Sequence, residues 1–321
     1  MITRIAAVSA AYGRDLRTCQ DMVIRQILLA QRQEVDLLVL PEACLGGYLS
    51  GRDAGSHDSY TVLGDDPGPP ALDVDGPEIS GLVRMAGDVV VCLGFCERAV
   101  VDGVVRRYNS AVCLSADGVH AVHRKVHQPL GENSSYAAGE RFAAFDTPIG
   151  RMGMLICYDK AFPEAARALA LDGAPLLACL SAWPCSRTAP AGDLSRDRWT
   201  RRFDLHDQAR ALENQVVWVS ANQCGRFGSL RFVGRAKIVD PGGESLVETG
   251  TGPGVAMTDI DVDTAVGVAR RTMCHLTDRR PECYATTQTD VTTQTDVTTQ
   301  TQVTTQPYPT TQPYATTVVG R

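Results

Sequence analysis

The 321-residue chain has only three lysines, at positions 125, 160 and 237, against 28 arginines. It has no surplus of positive charge: 37 acidic residues outnumber 31 basic ones, for a formal net charge of −6. Binders of nucleic acid and of anionic membrane surfaces use excess Lys and Arg to neutralise phosphates, so neither partner is expected. It has no apolar run of about 18 residues, the length a bilayer-spanning helix needs. The short apolar stretch 5–11 is at the lower limit for a signal-peptide core and reads as a first β-strand. No Cys-x-x-Cys occurs, and the eleven cysteines follow no framework spacing, which argues against zinc or disulfide scaffolds. Most of them are expected to be small buried hydrophobes in a reducing cytosol. A chain this long buries roughly three quarters of its unfolded surface and needs no such staple.

What is present is a succession of apolar strand segments and helical segments. No linker rich in Pro, Ser or Gly interrupts it between residue 3 and about residue 265, which favours a single α/β domain. Strands are expected at 4–10, 36–42, 89–97, 110–115, 119–125, 150–157, 175–182, 215–222 and 232–240, with helices near 16–33 and 196–214. The segments 110–115 and 119–125 read as a hairpin across Ala116-Asp117-Gly118. Strands buried on both faces between helices imply a layered sandwich. From Thr286 the chain repeats in sixes, beginning TTQTDV, TTQTDV, TTQTQV. The expected division is therefore a domain over 1–284 and a Thr/Gln-rich tail over 285–321, disordered for want of apolar mass. The alternative puts Val291, Val297 and Val303 on one face of an extended strand that pairs with a neighbouring subunit.

Three side chains sit at the ends of expected strands: Glu42 in LPEACLGGY, Lys125 in HRKVHQP at the end of the hairpin's return strand, and Cys157 in LICYDKAFPE. Each alone has an ordinary interpretation, as a loop acid, a surface lysine and a buried thiol. Together they are expected to form a reaction centre. A free thiol with a pKa near 8.5 is only about 3% thiolate at pH 7, so it needs a base, and Glu42 can take its proton. Attack on a carbonyl or nitrile carbon throws negative charge onto oxygen or nitrogen, which the Lys125 ammonium and the N–H of Tyr158 can stabilise. The protonated Glu42 can then supply the departing amine with its proton.

These stretches resemble the nitrilase, or carbon–nitrogen hydrolase, superfamily, whose signature is a Glu-Lys-Cys triad in that chain order. The segments GENSSYAAGERFAAFDTPIGRMG, ARALENQVVWVSANQCG, FVGRAKIVDPGG and RRPECY extend the likeness over roughly residues 3–284. The resemblance implies a four-layer αββα sandwich that pairs into a homodimer or a higher homo-oligomer, and catalysis without a cofactor or metal. It implies that a second glutamate orients the lysine. Glu132 matches that position, with Glu140 as its rival. It further implies that Trp183 lines the substrate pocket. Tyr158-Asp159 follows the cysteine where nitrilases usually carry Trp-Glu, which resembles the amidase and carbamoylase branches.

The expected function is thus cleavage of a small amide or N-carbamoyl compound in the cytoplasm. A nitrilase is the runner-up, an acyltransferase shares the scaffold, and a non-catalytic binding protein is the contrasting class. His123 and His127 are four apart, but on a strand that spacing does not make a helical i, i+4 ligand pair, and no Cys-x-x-Cys accompanies them, so no metal site is expected. The alternating charges from Asp193 to His206 read as a solvated helix face.

Overall fold

Alternation along the strands decides the architecture. In this computed structural model, which describes residues 2–52 and 60–284, the first half of the chain supplies β1 (Ile2–Ala10), α1 (Leu16–Arg32), β2 (Leu37–Val39), α2 (Pro77–Ala86), β3 (Val90–Val101), β4 (Val104–Ser115) and β5 (Gly118–Arg124). The second half supplies β6 (Phe145–Thr147), β7 (Gly150–Ile156), α3 (Pro163–Leu171), β8 (Leu176–Ser181), α4 (Arg198–Asn214) and β9 (Val217–Phe227). The strands β10 (Leu230–Val233), β11 (Lys237–Val239), β12 (Ser245–Glu248) and β13 (Gly254–Asp261), then α5 (Val262–Thr272), complete the body.

Ala7, Leu37, Val39 and Cys92 share one core with Met154, Ile156, Ala178 and Leu180 from the other half of the chain. Their strand neighbours Ala6, Val8, Leu38 and Val91 face the opposite way and pack on Val23 and Ile27 of α1 and Ile79 and Leu82 of α2. Likewise Leu155, Leu177, Cys179 and Trp218 meet Ala166 and Leu169 of α3 and Ala211 of α4. A two-residue period with both faces apolar therefore yields four layers, helix–sheet–sheet–helix, as expected.

The strand order is β5-β4-β3-β2-β1-β9-β8-β7-β6. The two halves join where β1 runs parallel to β9 only at Ser9–Asn222 and Ala10–Gln223. Along the rest of its length β1 pairs antiparallel with β13, and β9 pairs with β11. The layers thus meet at the carboxyl ends of the parallel strands, where open α/β sheets place their ligand crevices.

Local chemistry fixes the helices. Asp15 caps α1 by accepting from the Thr18 N–H, and proline opens α2 and α3. Three details differ from expectation. The strand at 89–97 continues into a long hairpin with β4 through Asp102 and Gly103, both at positive φ. The Asp-Gly signal was present, but arginine-rich flanks hid the strands around it. The segment 232–240 breaks in two because Gly234 and Arg235 both adopt left-handed φ, near 65° and 64°. Finally, α4 is not a solvated charged face: it buries Phe203, Asp207 and Arg210, whose charges are paired internally.

The chain divides into two units, Met1–Arg279 and Arg280–Arg321. The described part of the second is a short turn at Pro281–Cys283. The hexapeptide repeats, and both expectations about them, lie outside the described residues.

Candidate active site

Glu42 lies just beyond β2, in a turn where Ala43 takes a left-handed φ of 53°. The turn packs on β3 at Gly94, where a Cβ would collide with the backbone of Glu42 and Ala43. Gln223 Nε2 donates to the Glu42 carbonyl at 2.9 Å, tying the turn to the strand of the other layer. Lys125 follows β5. Its N–H donates to Asn109 O, and its carbonyl accepts from Gly139 N, both at 2.8 Å. Gly139 permits this close approach, since a Cβ there would strike the Arg124 carbonyl. Glu132 begins the 3-10 turn Glu132–Ser134, entered through left-handed Leu130 and Gly131.

These three side chains converge. Lys125 Nζ lies 2.8 Å from Glu42 Oε1 and 2.8 Å from Glu132 Oε2. Asn109 Nδ2 donates to Oε1 of both carboxylates, at 2.7 and 2.8 Å. Glu42 and Glu132 are wholly buried and Lys125 is 1% exposed. Burial pushes the ammonium toward its neutral form, but Glu132 and Glu42 outweigh it and hold the Lys125 pKa well above the usual lysine range. Burial raises Glu132, with Lys125 opposing and Glu42 assisting. Glu140, the rival to Glu132, is exposed and lies on a separate groove.

Cys157 ends β7 and starts the 3-10 turn Cys157–Ala161 at a φ of 48°, a strained conformation for a residue with a side chain. The bend sets it on the wall of a cavity of about 370 Å³. Burial and the Glu42 charge push its thiol well above the usual range, against the pull of Lys125 and the Ala182 N–H. The resting group is therefore a thiol, and a base must act on it. The Ala182 N–H also donates to Glu42 Oε2 at 2.6 Å, so one backbone group ties acid and thiol together.

A second carboxylate organises this turn. Asp159, fully buried, accepts from the backbone N–H groups of Ile156 (3.1 Å) and His127 (2.9 Å). It also accepts from the rings of His123 (3.1 Å) and His127 (3.0 Å). Burial raises its pKa, but these donors outweigh it and hold it at about 2. The two histidines that flank Lys125 thus anchor the cysteine turn, and among the described residues no group of His, Cys, Asp and Glu suits a metal.

Tyr158 and Trp183 both line the cavity, with Tyr48, Tyr60 and Trp199. Trp183 has a double placement. Its N–H donates to Asn222 Oδ1 at 2.8 Å and its ring packs on Phe203 with centroids 5.9 Å apart, so it is both wall and core. Sequence patterns did not point to Asn109 or the Ala182 N–H; they marked Asp159 only as part of the pair after the cysteine and His206 only as part of a charged helix face. His206 lines the cavity, and burial, Lys160 and Arg210 depress its pKa to about 4.

A family model described as carbon-nitrogen hydrolase matches residues 4–270. A probable nitrilase of Schizosaccharomyces pombe is 28% identical over 261 residues, spanning 80% of this chain and 87% of the relative. An (R)-stereoselective amidase of a Pseudomonas species is 32% identical over 250 residues, spanning 77% and 80%. Among solved structures, an amidase variant from Nesterenkonia sp. AN1, after Michael addition of acrylamide at its active-site cysteine, aligns with a TM-score of 0.66 and 25% identity. That alignment covers 88% of this chain and 98% of the other.

Proposed function

The chain belongs to the carbon–nitrogen hydrolase family, and from that premise we propose that it cleaves a small amide or N-carbamoyl compound to an acid and ammonia or an amine, through a thioester on Cys157. The observation that carries this reading is Lys125 Nζ, 2.8 Å from each of Glu42 and Glu132 and within electrostatic reach of a cavity-lining thiol.

Glu42 takes the thiol proton as sulfur attacks the carbonyl carbon. A C–S bond forms, the C=O electron pair moves to oxygen, and the Lys125 ammonium with the Tyr158 N–H stabilises that charge. Collapse breaks the C–N bond, and Glu42 returns the proton to the leaving nitrogen. Water, deprotonated by Glu42, then attacks the thioester; the acid departs and the sulfur recovers a proton. Glu132 and Asn109 hold the lysine and Glu42 in place throughout. Trp183 shapes the cavity in which the acyl group sits.

The Tyr158-Asp159 pair favours an amide over a nitrile. A panel of linear amides, N-carbamoyl compounds and the matching nitriles, assayed for ammonia and acid, separates these substrates. The expected result is ammonia from amides or carbamoyl compounds, none from nitriles, and none with Cys157→Ala. Undiminished release by Cys157→Ala protein contradicts the mechanism, and release from nitriles alone contradicts the substrate class.

A further inference from the structure

The cavity in front of Cys157 has two chemically distinct parts. Tyr48, Tyr60, Tyr158 and Trp183 provide ring surface beside small and apolar residues around Cys157, and one face of α4 provides the polar part. On that face Trp199, Arg202 and His206 follow at i, i+3 and i+7 and all line the cavity. Arg202 is the charged side chain among these. Other cations near this wall are already matched: Lys160 lies 2.8 Å from Asp207, and Arg210 lies 2.7 Å from Glu213. Arg202 is exposed and makes no ion pair among the described residues. His206, with its pKa near 4, adds hydrogen-bonding capacity at neutral pH without adding charge. The buried carboxylates Glu42 and Glu132 are not among the lining residues.

We propose that Arg202 selects the substrate: the preferred compound carries a carboxylate at the end remote from the scissile carbonyl, with an aryl or alkyl body between them. The inference deepens the hydrolase reading and rests on it for the identity of the reacting group. A planar guanidinium presents paired N–H donors that match a carboxylate, and flanking ring surface lowers the local dielectric and strengthens the pair. The same charge disfavours a cationic substrate. A cavity of about 370 Å³ is at the small end for organic ligands, which suits one ring or a short chain between the two ends.

Two probes test this without requiring turnover: iodoacetanilide bearing a para-carboxylate, and its para-methyl counterpart. Alkylation of Cys157 is followed by peptide mass spectrometry, and each rate is divided by that with glutathione. The wild-type protein is expected to favour the carboxylate probe by about tenfold, the scale of one charge-assisted contact. Arg202→Gln is expected to abolish that preference and Arg202→Glu to invert it. Arg201→Gln, at an exposed neighbour outside the cavity lining, is expected to keep it. Equal rates in the wild type, or a preference that survives Arg202→Glu, overturns the inference. In parallel, glutaramate and pentanamide are assayed for hydrolysis. In the wild type, equal labelling by the two probes with intact hydrolysis overturns the role of Arg202 alone; a clear preference with no hydrolysis of any amide overturns the proposed function alone.

Discussion

Lys125 and Lys160 are both fully buried ammonium groups 2.8 Å from a carboxylate, yet their surroundings differ in kind. Lys160 is closed in. Asp207 Oδ1 accepts from it and from Trp218 Nε1, and the Phe203 ring lies 3.2 Å from the ammonium. Asp207 is shared there by two ammonium groups, since Lys237 lies 4.0 Å from its other oxygen while pairing with Asp204 alongside. Lys125 faces two carboxylates, and it acts more strongly than Lys160 on the Cys157 thiol, which opens onto a cavity. Burial and pairing are common to both lysines, so neither marks chemistry. In the proposed mechanism, a surplus carboxylate able to carry a proton, next to a thiol that substrate can reach, sets the Lys125 cluster apart from the Lys160 one.

The largest expected effect separates the two. Lys125→Met and Lys160→Met each strand a buried carboxylate and are expected to lower stability by about 3–5 kcal/mol in denaturant titrations. Per folded molecule, only Lys125→Met should also lower kcat, by about 10²–10³. An equal rate loss in Lys160→Met erases the distinction. Adding Asp207→Leu to Lys160→Met removes the stranded charge and should recover most of the lost stability, whereas no rescue argues that the Lys160 pair does more than pack.

Asp159 gives a smaller effect tied to pH. Its folded pKa of about 2 lies below the unfolded value of 3.8. The ionised form therefore favours folding, and that contribution is complete above pH 4 and lost as pH falls toward 2. The shift corresponds to about 2 kcal/mol. Asp159→Asn should flatten the decline in unfolding free energy between pH 4 and 2; a decline as steep as in the wild type rules out Asp159 as its source. The smallest effect concerns Asn109. Asn109→Leu removes the amide that donates to both Glu42 and Glu132, and should lower kcat/KM by up to about tenfold. An unchanged kcat/KM contradicts that placement.

The same contrast explains what was legible in the sequence. Glu42 and Cys157 each follow an apolar run and Lys125 ends a hairpin's return strand, so all three were legible as strand-end residues. The four layers were legible because Leu37 and Leu38 must both be buried on opposite faces. Asn109 was not legible: it sits within β4, where a polar residue among apolar ones suggests only a strand's wet side. The Ala182 N–H has no residue-type signature at all. In α4, alternating charges suggested solvent because linear order does not reveal that Asp207 meets Lys160, 47 positions away. His123 and His127 were set aside as metal ligands without another role, and their partner Asp159 emerged only once β5 and the cysteine turn were side by side.

The most direct test is peptide mass spectrometry of protein quenched during turnover of an amide substrate. The expected result is one acyl group on the peptide carrying Cys157, formed and discharged at least as fast as product appears, and absent from Cys157→Ala protein. Product formation with no acyl group on Cys157, or an acyl group on another residue that keeps pace with turnover, contradicts the thioester mechanism.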